Sequence, residues 1–95
     1  MPAFSYYSKT PSVVDISGYT PVSVVANFNT EGKFIPVYVQ IEEDYEKITI
    51  KIEQVKRAED KMGVVQFDCT YKDGDYLKNI TLYYIISKST WAIKK

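Results

Sequence analysis

From Pro21 to the C-terminal end, apolar and polar residues alternate with a period of two, the pattern of strands that bury one face. Val22, Val24, Ala26 and Phe28 share one face of a first strand, and Ile35, Val37, Val39 and Ile41 share one face of a second. Between them Thr30-Glu31-Gly32-Lys33 reads as a turn, with Gly32 where a positive φ is tolerated, so the two strands form a hairpin. Pro36 has no N–H donor, which places its strand at an edge or beside a bulge. Ile48, Ile50 and Ile52 then alternate with Thr49, Lys51 and Glu53, and Val55 breaks the phase by one residue. A β-bulge near Glu53-Gln54 returns Val55 to the core and bends the strand. Val65, Phe67, Cys69 and Tyr71 mark a fourth strand. Lys72-Asp73-Gly74-Asp75 is a tight turn. Ile80, Leu82, Tyr84 and Ile86 mark a fifth strand, and its other face carries Thr81, Tyr83 and Ile85, as expected of a central strand covered on both sides. Ser87-Lys88-Ser89 turns the chain into a last short strand with Trp91 and Ile93.

These elements predict an all-β fold: an antiparallel meander of about six strands forming a strongly bent sheet or small barrel. One stretch reads two ways. Glu53 to Lys61 is rich in Glu, Lys and Gln, so a short helix over 53–61 is the alternative to a strand extension. Residues 1–20 differ from the rest, with Phe4, Tyr6, Tyr7 and Tyr19 among Ser, Thr, Pro and Gly. They read as an aromatic N-terminal arm, ordered where its aromatics meet the core, with room for a helical turn near Ser12 to Ile16. The organisation expected is therefore an arm over 1–20 and a single β domain over 21–95.

Several pieces of residues 21–95 resemble a group of small uncharacterised β-rich proteins of Gram-positive bacteria and their mobile elements. They are Val24-Val25-Ala26, the stretch from Glu31 to Tyr38, Ile50-Lys51-Ile52 with Val55, Phe67-Asp68-Cys69, and Trp91. That group often has an Arg before the aromatic of the fourth strand, where this chain has Gln66. An aromatic and an acidic residue tend to follow the Trp, where this chain has Ala92 and Ile93. The resemblance implies a barrel-like domain of bacterial origin and brings no activity or site residues with it.

Charge and composition then narrow the function classes. Twelve basic and twelve acidic residues give a net charge of zero. Nucleic-acid binders draw most of their affinity from phosphate contacts and carry a basic surplus, so no strong nucleic-acid signal is present. Histidine is absent and Cys69 is the one cysteine. That excludes Ser-His and Cys-His nucleophiles and argues against a zinc site, so no metal, no cofactor and no enzymatic activity are expected. Cys69 alternates with Phe67 and Tyr71, the place of an inert buried thiol. Met1 to Thr10 lacks the apolar centre of a secretion signal, and the longest apolar run, Leu82 to Ile86, is too short to span a bilayer. A cytoplasmic location follows as the expectation, and the sequon Asn79-Ile80-Thr81 is then without meaning.

Two acidic groups look chemical at first sight. Glu42, Glu43, Asp44 and Glu46 lack the Gly and the ligand spacing of a calcium loop and read as a solvated turn. Asp73 and Asp75 flank Gly74 on a hairpin tip, where both face water. The unusual feature is tyrosine, with nine among 95 residues. Tyrosine is enriched at protein interfaces, and Tyr6, Tyr7, Tyr45, Tyr76 and Tyr83 read as surface residues. The functional expectation is a small non-enzymatic protein-interaction module, its partner another protein or a second copy. The alternative is weak nucleic-acid binding through Tyr and Lys on one face, with Lys78, Lys88, Lys94 and Lys95 as the cations.

Overall fold

The computed structural model describes residues 17–94. Its strands are β1 (Tyr19–Pro21), β2 (Ser23–Phe28), β3 (Phe34–Glu43), β4 (Glu46–Asp60), β5 (Val64–Asp73), β6 (Tyr76–Ile85) and β7 (Thr90–Lys94). All pairings are antiparallel, in the order β1-β7-β6-β5-β4-β3-β2. A 3-10 turn over Ile86–Lys88 links β6 to β7, and the described residues contain no other helix. The fold is the expected all-β meander. The strand beyond the expected six is β1, which begins at Tyr19 inside the stretch read as an arm. Tyr6, Tyr7 and the helical turn expected near Ser12 to Ile16 lie outside the described residues.

Two features curl this ladder into a half-barrel. The first is β4, which is 15 residues long and serves two neighbours. Glu46 to Lys51 pairs with β3, and Ile52 to Asp60 pairs with β5. Its register slips between Ile52 and Gln54 and again between Val55 and Arg57, leaving Glu53 and Lys56 as extra residues. Each slip is a bulge that bends the strand and resets which side chains face inward. Ile50 and Ile52 are buried as a result, and Val55 and Ala58 pack against the same core. The second feature is Val22. It alone separates β1 from β2, yet these strands occupy opposite ends of the ladder. The Val22 N–H donates to the Trp91 carbonyl at 2.9 Å, so the two ends of the sheet meet at this residue.

Bending turns one face inward. Phe34, Val39, Ile50, Ile52, Val65, Phe67, Cys69, Leu82, Tyr84 and Ile86 form the main core on that face. Its centre is aromatic: the Trp91 ring lies 5.7 Å from Phe34, 5.4 Å from Phe67 and 5.1 Å from Tyr84. Such tilted and edge-on contacts add stability beyond the area they bury.

Two expectations need correction. The helix offered over 53–61 does not form, because β4 runs through to Asp60. Helix propensity differs by only tenths of a kcal/mol among these residues, about 0.7 at most. Pairing with β5 while Val55 and Ala58 pack on the core outweighs that preference. The inward set on β3 is also displaced. Val25 pairs with Tyr38 and Ala26 with Pro36, which leaves Val37 as a bulged residue. The phase therefore inverts before it: Phe34 and Pro36 are buried and Ile35 is exposed, while Val39 and Ile41 remain inward. Pro36 sits beside this bulge, on a part of β3 that β4 does not reach, since their pairing starts at Tyr38.

This inversion gives a direct test by urea denaturation. Phe34→Ala should cost about 3–5 kcal/mol, as for a buried aromatic. Ile35→Ala should cost under about 1 kcal/mol, as for surface positions. Equal losses would put Ile35 in the core and contradict the bulge.

Candidate functional site

Because β3, β4, β5 and β6 alternate in direction, the β3–β4 and β5–β6 turns lie at the same end of the sheet. The two turns are built differently. Glu43 pairs with Glu46 and closes a two-residue turn over Asp44 and Tyr45, with φ of 51° and 66°. A turn with positive φ at both central residues is usually filled by Asn-Gly or Gly-Gly. A side chain in the left-handed region costs on the order of 1 kcal/mol. Tyr45 accepts that cost while 99% exposed, so its ring contributes nothing to the core. In the second turn Asp73 pairs with Tyr76, and Gly74 takes the one positive φ, 63°. Here glycine removes the strain. Tyr76, 75% exposed, and the exposed Leu77 follow it directly.

Between these hairpins the sheet is split. The β4–β5 pairing runs only as far as Ile52 opposite Tyr71. Beyond that point β4 pairs with β3 alone and β5 with β6 alone. A cleft of about 380 Å³ opens between them. Ile41, Ile48, Ile50 and Tyr71 line it, and Glu43, Lys51, Glu53, Lys72 and Asp73 surround these. Among the described residues the two facing edges, Glu46 to Lys51 on β4 and Lys72 to Asp73 on β5, have no ladder neighbour. Strand edges of this kind present alternate N–H and C=O groups to whatever lies beside them.

The electrostatics of the cleft are balanced. The Lys72 Nζ lies 3.9 Å from the Glu53 Oε1 near its base. The Lys78 Nζ donates to the Asp73 Oδ2 at 2.6 Å, and this bond raises the Lys78 pKa above its ordinary value. Both pairs are largely exposed and so are strongly screened. They shape the rim and add little to stability.

Of the tyrosines read as surface residues, the structure brings Tyr45 and Tyr76 to this end and places Tyr83 elsewhere. Tyr83 is a correction: it is only 9% exposed. It lies on the outer face of the sheet, edge-on to Tyr19 at 5.2 Å, with the Lys94 ammonium 5.3 Å from its ring centre. In the second half of β6 Tyr83 belongs to a second buried cluster with Val64, Ile85 and Ala92, and Tyr19 packs against it, so its ring is not a surface residue. Lys78, Lys88 and Lys94 are also dispersed, respectively near the cleft, on the 3-10 turn at the opposite end, and on β7. Of these Lys94 stands over a tyrosine ring, that of Tyr83, and Lys95 lies outside the described residues. Ile41 and Ile48, read from the sequence as strand residues of the buried face, and Leu77, not singled out there, belong to the site. The signal for Leu77 is an apolar pair, Tyr76-Leu77, directly after a hairpin turn where polar residues are usual.

Cys69 is buried, and its thiol sits 3.7 Å from the Phe67 carbonyl as a weak donor. Burial, with a smaller contribution from the Asp68 carboxylate, pushes its pKa from 9.0 to about 11. A thiol so placed is neutral and unreactive at physiological pH. Among the described residues no group of three or more Cys, Asp or Glu is arranged to hold a metal ion, and no helix is long and apolar enough to cross a membrane.

Comparison with known proteins returns no matching family model, no matching curated protein and no matching solved structure. The resemblance to the Gram-positive group therefore rests on the residues quoted for it.

The Cys69 environment makes stability depend on alkaline pH. Below pH 9 the thiol is protonated in both folded and unfolded chains. Between the unfolded value of 9.0 and the folded value of about 11 only the unfolded thiol ionises, so unfolding is favoured as pH rises. The loss attributable to Cys69 should be on the order of 2 kcal/mol across that window, from 1.36 kcal/mol per unit. Urea titrations of the parent and of Cys69→Ala should show a shallower decline in the variant, and identical slopes would contradict the buried, neutral thiol.

Proposed function

We propose that this protein is a non-enzymatic protein-interaction module that binds through the split end of its sheet. The observation that carries the reading is Tyr45. A strained, fully exposed aromatic at a turn lowers stability and adds no packing, and such backbone strain concentrates where a chain makes contacts with other molecules. Tyr76 and Leu77 stand on the neighbouring tip, and the apolar cleft lies between. Tyrosine contributes a large contact area at low entropic cost, because its ring has few rotatable bonds.

The open strand edges set the form of the partner. An extended segment laid along Glu46–Lys51 of β4 gains backbone hydrogen bonds from the edge and side-chain contacts from Ile48 and Ile50. The mixed charges of the rim, with Lys51 and Lys72 beside Glu43, Glu53 and Asp73, favour a segment of a protein over a polyanion. A second copy of the chain, presenting its own edge, is the other occupant with this chemistry.

The test pairs the parent with a Tyr45→Ser/Tyr76→Ser/Leu77→Ser variant that retains the parent's circular dichroism spectrum. Proteins retained from the native host by the parent should be lost by the variant, and sedimentation over a wide concentration range should show whether a second copy is among them. Retention of the same proteins by both, with no difference in self-association, would count decisively against the tips as the binding surface.

A further inference from the structure

β2 is an end strand of the ladder, and among the described residues it pairs with β3 alone. Its far edge is not built like the other edges of this sheet. Strand edges are normally protected by charge, proline, brevity or a bulge. β1, at the opposite end, is three residues long and contains Pro21. The β4 edge at the cleft carries Glu46, Lys47 and Lys51. β2 has six residues, Ser23–Phe28, with no charge and no proline. The irregularity in its pairing falls on Val37 of β3, so β2 itself runs unbroken. Its outer face is open to solvent: Ser23, Val25 and Asn27 are all exposed. Val25 is 59% exposed and its cross-strand partner Tyr38 39%, while Ile35, opposite Asn27, is 45% exposed. The first charge along the row of Val25 and Tyr38 is Lys51, beyond Tyr38 on β4.

We propose that this edge pairs with the same edge of a second copy, making a two-fold dimer with one continuous antiparallel sheet. Charge, register and closure each select a second copy as the occupant. The net charge of the chain is zero and β2 carries none, so two copies meet without long-range repulsion and without like charges opposite one another. A two-fold axis perpendicular to the sheet keeps outward side chains on the outer face of both copies. Centred on Val25, it sets Val25 against Val25, Ser23 against Asn27 and Val24 against Ala26. Apolar side chains then meet apolar ones, and a hydroxyl meets an amide. The outer row across the junction reads Tyr38, Val25, Val25, Tyr38, an apolar strip shared by both copies. The contact uses the same surface on each chain, so it closes at two and does not propagate. Six residues of strand bury little area, which makes the dimer weak and reversible. No residue of β2 lines the cleft, so this pairing is independent of what the cleft binds.

Sedimentation velocity of the full chain, at concentrations up to about 1 mM where weak complexes form, tests this. Monomer should pass into dimer with no larger species. In a mixture of isotope-labelled and unlabelled chains, filtered nuclear Overhauser spectra should show cross-peaks between the Val25 methyl groups of different copies. Val25→Lys and Val25→Glu each set like charges face to face and should raise the dissociation constant about tenfold or more. Mixing these two variants should restore association at low salt, because opposite charges then meet across the axis. The Tyr45→Ser/Tyr76→Ser/Leu77→Ser variant should dimerise as the parent does. A parent chain that stays monomeric throughout overturns the proposal. So does a dimer that the tip variant abolishes, or one that persists unchanged in both Val25 variants, since either places the contact elsewhere. A parent dimer without the Val25 cross-peaks overturns it too, whether or not the variants fold.

Discussion

One strand is asked to belong to two ladders, and the architecture depends on how β4 does it. Had Glu46 to Asp60 stayed flat, β3 and β5 would flank it in an open sheet with one greasy face exposed to water. The extra residues Glu53 and Lys56 bend it, so that β2 and β3 fold over β5, β6 and β7. The same bend gives the half-barrel both its interior and its cleft. Below the hand-over at Ile52 the sheets converge on Phe34, Phe67, Tyr84 and Trp91. Above it the hairpins part, leaving Ile48 and Ile50 beside an edge that no described strand fills. Core and candidate site are thus two results of a single distortion.

Stability and exposure divide along the same line. The aromatic cluster and the buried aliphatics form the closed end, and burial among them, with the Asp68 carboxylate beside it, holds the Cys69 thiol neutral. The open end has screened ion pairs, a strained Tyr45 and side chains in solvent. A sheet in which one end supplies the stability leaves the other free to carry residues that folding alone would not select.

Much of the closed end was legible in the sequence. The Ile48, Ile50, Ile52, Val55 series announces the bulge at Glu53 through its own loss of phase, and Gly32 and Gly74 mark turns that need positive φ. Pro36 correctly signals an irregular place in β3. The position of that irregularity was not legible, because a slip at Val37 and a regular strand place the same residue types in a row. Only the register against β2 shows that Phe34 faces in and Ile35 out. The second bulge at Lys56 is hidden for the same reason, among charged residues that carry no phase. Tyr45 and Tyr76 could be read as surface residues from their turns. Tyr83 could not be assigned correctly, because its burial depends on a face whose covering is a matter of tertiary structure. The cleft itself was out of reach, since it exists only where two strands fail to pair.

The seam at the start of the ladder has a mechanical meaning. Tyr19 opens β1, Lys94 closes β7, and the two are cross-strand neighbours. Pulling Tyr19 and Lys94 apart therefore loads this pair of strands like a zipper, one rung after another, and never along their length. Once Pro21 has separated from Ala92, the next link to take the strain is the single bond from Val22 to Trp91. Traction at these two residues would thus reach the aromatic centre of the domain early, through the strand that carries the indole.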